Sequence, residues 1–273
     1  MNKTIKILLL FVAIAFFGCG HISSKTDILQ RVAITGASVT SGYGVTTPPI
    51  RGDLGAYRVN FKHIIEGMML VPHDEVGFFG DLMFFRNSRT DAEEYIQQII
   101  EFEPTLVIGI DYLFWFAYGS TPADQKPDSY KLERLNFALS LLDEIQAPLI
   151  IGDLPDVRQA IGRMLSPHHV PDEPLLQSLN ARIYNWAARR GNVLVLPANE
   201  YWKRMMNDEE ITIMGHTWPE GSQATLLQGD MLHTTLEGTV AAALFIEESL
   251  GTHGLETDPR VIMNNAEAEA RKN

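Results

Sequence analysis

A serine, an aspartate and a histidine in this 273-residue chain have the types and spacing for nucleophilic chemistry. Ser38 lies in Ile34-Thr35-Gly36-Ala37-Ser38-Val39-Thr40-Ser41-Gly42-Tyr43-Gly44. Asp230 and His233 lie three residues apart in Gly229-Asp230-Met231-Leu232-His233-Thr234-Thr235-Leu236-Glu237-Gly238. A hydroxyl is a poor nucleophile until a base takes its proton, and the base needs a carboxylate to orient it. Taken alone, Ser38 reads first as a helix N-cap in a glycine-rich turn. The distant Asp-x-x-His tips the reading toward chemistry. The serine segment is not a Gly-x-Ser-x-Gly elbow, because position 40 is Thr.

Such groups must be held by something rigid. Residues 31–35 read as a short strand that Gly36 breaks, so Ser38 falls at a strand's carboxyl end, where open α/β sheets bind ligands. A helix is expected over 56–69 and a strand over 74–79. A helix over 91–102 has an acidic first turn that suits the helix dipole. The unbroken apolar run at 105–110 predicts a strand covered on both faces. Further helices are expected over 129–145, 175–190 and 235–250, and strands over 148–152 and 192–196. Strands alternating with crossover helices predict an α/β protein, with a mostly parallel five-stranded sheet in a three-layer α/β/α stack. No internal repeat or linker divides residues 30–252, and the tail 253–273 is expected to be peripheral.

At both chemical segments the chain resembles the SGNH, or GDSL-type, hydrolase family. The family's first block is Gly-Asp-Ser-x-Thr-x-Gly-x-Gly, matched here by Gly36, Ser38, Thr40, Gly42 and Gly44, with Ala37 in place of the Asp. Its last block is Asp-x-x-His with a glycine five residues on, matched by Asp230, His233 and Gly238, with Thr234 in place of the usual Pro. The resemblance spans residues 30–250 and implies a flavodoxin-like SGNH hydrolase fold. It implies Ser38 as nucleophile, His233 as general base and acid, Asp230 as its orienting partner, and carboxylic esters as substrates. It implies no metal and no organic cofactor.

The middle blocks depart from the pattern. The family's Gly-x-Asn-Asp corresponds to Gly109-Ile110-Asp111-Tyr112, so Asp111 stands where an Asn amide would donate to the oxyanion. An ionised carboxylate only accepts. Asp111 is therefore protonated, or turned away so that another donor serves, or a cap for the following helix. No glycine stands where the family's second block expects one. Asn87 or Ser88 would supply a backbone N–H there, or Asn87 its side-chain amide. A protein that holds an acyl or glycan group in the same cleft without turnover is the alternative function.

The formal charge of −12, with no basic patch interleaved with aromatics, argues against nucleic acid as a partner. Residues 1–18 read as a signal peptide, with a basic start at Lys3 and Lys6 and a short apolar run over 7–17. Cys19, the only cysteine, follows directly. This resembles a bacterial lipoprotein signal. The resemblance implies an acyl anchor on Cys19, a polar tether over 19–29 and a place in the cell envelope, at the outer membrane of a Gram-negative cell. Tyr112-Leu113-Phe114-Trp115-Phe116 either lines the cleft or packs the core. Asp153 and Asp156 line the cleft or cap a helix. His168-His169 lacks the neighbours for a zinc site, and His216 is not assigned a role.

Overall fold

The computed structural model describes residues 27–272, so Cys19, the signal segment and most of the tether lie outside the described residues. Five short strands form one parallel sheet: β1 (Val32–Gly36), β2 (Gly77–Gly80), β3 (Leu106–Gly109), β4 (Leu149–Gly152) and β5 (Val193–Leu196). Their order is β2-β1-β3-β4-β5. β1, β3 and β4 are buried along their whole length, which is why they read as continuous apolar runs. The chain leaves β1 to one side for β2 and crosses to the other for β3. The carboxyl end of β1 is therefore a switch point, where such sheets open a crevice.

The period-two alternation of the strands divides the core into two layers. Ala33, Val107, Leu149 and Ile151 face α2 (Ser88–Phe102), α4 (Pro127–Leu142) and α5 (Glu173–Arg190), through residues such as Ile96, Leu135 and Ile183. Val32, Ile34, Ile108 and Ile150 face α1 (Phe61–Met68) and α8 (Leu236–Leu250), through Ile64, Met68, Val240 and Leu244. A one-turn helix, α3 (Phe114–Ala117), follows β3. The helices start where the sequence supplies acceptors for their free N–H groups. Asn60 accepts from His63 N at 3.2 Å and Asp172 from Leu175 N at 2.9 Å. Thr235 accepts from Gly238 N at 3.1 Å, opening α8 directly after the histidine loop.

Two regions correct the sequence reading. The tail is not peripheral: Asp258 caps a helix, α9 (Pro259–Ala270), which buries Ile262, Ala266 and Ala270 against α1. Gly67 makes the contact close, since a Cβ there would lie 2.9 Å from the backbone N of Ala266, and the Asn265 amide donates to Gly67 O at 2.9 Å. Between β5 and α8 the chain also builds an insert absent from the sequence reading. It comprises α6 (Ala198–Met206), an antiparallel hairpin of β6 (Ile211–Ile213) and β7 (His216–Trp218), and a short α7 (Gln223–Leu226). Met214 and Gly215 both take positive φ (50° and 79°), the backbone of a tight two-residue hairpin turn.

Candidate active site

Past Gly36 the chain turns back on itself. Ser41 N donates to Ala37 O at 2.8 Å, and Tyr43 N donates to Ser38 O at 2.9 Å. The turn is built around Asp111, which follows the neighbouring strand β3. One carboxylate oxygen accepts from Ala37 N at 2.9 Å and from the Thr40 hydroxyl at 2.5 Å. The other accepts from Val39 N at 2.8 Å and Thr40 N at 3.3 Å. A Cβ on Gly36 would lie 2.2 Å from Asp111 Oδ1, so only glycine admits this carboxylate. Asp111 is thus an acceptor ringed by donors. It does not donate to an oxyanion; of the three expectations for it, the structure has the one that turns it away.

The histidine loop meets this turn from the far end of the chain. Asp230 Oδ1 accepts from the N–H groups of Leu232 (2.9 Å) and His233 (3.0 Å), an arrangement that puts Met231 in the left-handed region at φ 57°. Asp230 Oδ2 lies 2.7 Å from His233 Nδ1, and His233 Nε2 lies 2.9 Å from Ser38 Oγ. Burial raises the Asp230 pKa, but hydrogen bonds from the imidazole and from the N–H groups of His233 and Leu232 hold it below its ordinary value. An anionic Asp230 assigns the imidazole proton to Nδ1, which leaves Nε2 free to accept from the serine.

Two further residues bind the loops together. Gln228 donates through Nε2 to Tyr43 O (2.6 Å) and Thr234 O (2.7 Å), and its backbone N donates to His233 O (2.8 Å). Gly44 is required beside it, because a Cβ there would lie 2.4 Å from Gln228 Oε1. The Tyr43 ring stacks on the imidazole with centroids 4.1 Å apart, leaving His233 only 2% exposed. Neither residue was marked in the sequence. Tyr43 sits inside the serine segment, but a single tyrosine carries no pattern, and Gln228 belongs to no motif.

Of the remaining expected residues, Phe114 and Asp153 line the cavity beside Ser38, and Asn87, Gly109, Tyr112 and Asp156 do not. Asn87 is solvent-exposed at the start of α2, makes no side-chain cap and does not line the cavity beside Ser38. Gly109 is a packing position, where a Cβ would lie 3.2 Å from Tyr112 Cβ and 3.3 Å from Thr35 Cγ2. Tyr112 and Phe116 are core residues, and Phe114 reaches the cavity. Asp156 pairs with Arg158. No group of three or more metal-binding side chains occurs among the described residues.

The cavity has a volume of about 160 Å³. It runs from Ser38 and Val39 past the ends of β3, β4 and β5 and beneath α6, β6 and α8. Asp153 lies in its wall and is 6% exposed, with Asn199 N (2.7 Å) and the Tyr184 hydroxyl (3.0 Å) donating to it. Burial, only partly offset by these bonds, raises its pKa from 3.8 to about 6. A carboxyl raised on folding favours the folded state at low pH and loses that advantage as pH climbs from about 4 through about 6. Asp153→Asn is therefore expected to be more stable than the parent at pH 8, by on the order of 2–3 kcal/mol, and nearly equal to it at pH 4. Melting temperatures at the two pH values check this; an equal difference at both would remove the titration from the explanation.

The fold is a five-stranded parallel sheet between helices, an architecture found in solved hydrolase structures. It is shared with a lipase/acylhydrolase from Enterococcus faecalis, at a TM-score of 0.50 and 16% identity over 84% of this chain and 98% of that one. An acetylxylan esterase from Geobacillus stearothermophilus is similar at a TM-score of 0.50 and 14% identity, over 84% of this chain and 97% of that one. No protein-family model matches the chain, and no curated protein does.

Proposed function

We propose that the protein is a serine hydrolase that cleaves carboxylic esters. The observation that carries this reading is the unbroken line from Ser38 Oγ to His233 Nε2 (2.9 Å) and from His233 Nδ1 to Asp230 (2.7 Å). Ser38 attacks the ester carbonyl as His233 takes its proton. Asp230 steadies the imidazolium that forms. The tetrahedral oxyanion needs donors, and those nearby are unequal. The N–H groups of Ala37, Val39 and Thr40 already bind Asp111, whereas that of Ser38 has no partner among the described residues. Ser38 N–H is therefore the first donor to the oxyanion. His233 next protonates the leaving alkoxide, and water, activated by the same imidazole, releases the acyl group.

The proposal includes an acyl anchor on Cys19 and a place in the cell envelope, supported by the signal-like segment before that cysteine. Loss of membrane recovery in Cys19→Ser would bear this part out, and unchanged fractionation would discard it. The chemistry is tested with a fluorophosphonate. Intact mass should rise by one adduct, mapped to Ser38 and absent from Ser38→Ala. A folded protein that takes no label while binding ester-like ligands would belong to the non-catalytic alternative.

A further inference from the structure

We infer that a second cavity, set between α2, α3 and α4 and separate from the one beside Ser38, binds a small α-amino acid in its zwitterionic form. The inference goes beyond the hydrolase reading and does not rest on it. The cavity has a volume of about 110 Å³ and is lined by Arg89, Phe116, Tyr130, Glu133, Arg134 and Phe137, none of which borders the first cavity. Tyr130, Glu133, Arg134 and Phe137 recur at the i, i+3, i+4, i+7 spacing that puts them on one face of α4. A helix face that packs against neighbours is ordinarily apolar, as α4 is on its core side at Leu135, Ala138 and Leu139. Here two of the four places carry opposite charges. Arg89 of α2 and Phe116 of α3 complete the wall.

These charges do not satisfy one another. Among the described residues neither guanidinium has an ion-pair partner, and neither has Glu133. Arg134 is held in place by neutral acceptors: Nη1 donates to the Tyr130 hydroxyl (3.2 Å), and Nη2 donates to Ser88 Oγ (2.7 Å) and Trp115 O (2.6 Å). Its Nε is buried without a partner. Arg89 lies over the Phe137 ring at 4.2 Å, a contact that places its charge without neutralising it. Lys131, three residues before Arg134, is buried and donates only to the carbonyls of Gly119 (2.9 Å) and His169 (3.2 Å). Burial, and then the charge of Arg134, push its pKa down to about 8. Three cations and Glu133 thus gather in a chain whose net charge is −12. A ligand carboxylate gains from the arginines, whose planar forks match it two bonds at a time. Such a group alone would also meet Glu133, and an ammonium alone would meet the arginines. A ligand with both groups on one carbon answers both charges, and that is an α-amino acid. The volume equals roughly three to four waters and so admits one with a small side chain, laid against the rings.

Calorimetric titration of the full chain with L-alanine, propanoate, ethylamine and inorganic phosphate tests this. Alanine should bind saturably at one site, propanoate and phosphate at least about tenfold more weakly, and ethylamine not at all. Glu133→Gln should weaken alanine by about tenfold and tighten propanoate, because it removes an attraction for one and a repulsion for the other. A gain for propanoate is a result that misfolding does not produce. Arg89→Gln should weaken both ligands. Glu133 and Arg89 are exposed side chains, so neither substitution disturbs the core. Ser38→Ala should bind alanine as the parent does, since the two cavities share no residue. Absence of saturable heat from alanine up to about 10 mM would overturn the inference. So would propanoate or phosphate binding as tightly as alanine with no response to Glu133→Gln, which would leave a plain anion site.

Discussion

Alanine at His233 is expected to slow hydrolysis of p-nitrophenyl butanoate by on the order of 10⁴–10⁶. Among the described residues the imidazole is the one group within hydrogen-bonding reach of the Ser38 hydroxyl, at 2.9 Å, and the 2.7 Å contact with Asp230 fixes its orientation. Without it the serine keeps its proton and the leaving group receives none. Two functions vanish with one side chain, so the effect should approach that of removing the nucleophile itself. The loss should appear in kcat, because the imidazole moves protons in the transition state and contributes little to holding the ground-state ester. Fluorophosphonate labelling should slow in parallel, and added imidazole should restore part of the rate. Turnover within tenfold of the parent would mean that another base serves Ser38.

Asp111→Ala is expected to lower kcat by about 10²–10³ and to destabilise the protein by about 2–4 kcal/mol. The substitution leaves the N–H groups of Ala37, Val39 and Thr40 without their shared acceptor. Those three residues flank Ser38 on both sides, so the turn that aims the hydroxyl and its own N–H loosens together. Asp111 acts through Ser38 and is a positioning residue. KM should therefore change far less than kcat. Asp111→Asn retains one acceptor but aims amide hydrogens at other donors, so it should fall between the parent and alanine. A rise in turnover with asparagine would show instead that the family's amide donor can be restored at this position.

The fold was legible where a single face or a single run carries the signal. β1, β3 and β4 are buried on both sides, and Val32-Ala33-Ile34 or Leu149-Ile150-Ile151 announces that without any neighbour. α9 was missed because the residues it buries are mostly alanines, spaced four apart among Asn and Glu, and alanine reports burial weakly. The insert was missed for another reason: Ile211, Ile213 and Trp218 sit on strands of three residues, too short for alternation to register. In the site, the spacing of Asp230 and His233 is a local property of one turn and could be read directly. The direction of Asp111 is not local. Residue type told that it accepts hydrogen bonds, but only the packing of β3 beside β1 decides that its donors belong to the serine turn. Gly238 shows the same limit: a Cβ there would lie 2.0 Å from Leu226 O, a clash between the first turn of α8 and the insert before it.

The hydrogen bond between Ser38 and His233 joins positions 195 residues apart, and the one from Gln228 to Tyr43 joins positions 185 apart. A nascent chain leaves the ribosome amino end first, so the proposed nucleophile emerges long before its proposed base and long before the glutamine that ties the loops. β1, β2 and β3 can pair meanwhile with a mute serine at their edge. On the proposed chemistry, a protein interrupted anywhere before α8 docks is chemically silent, whatever part of its sheet has formed. In a cell making many incomplete copies, catalytic activity would count finished molecules only.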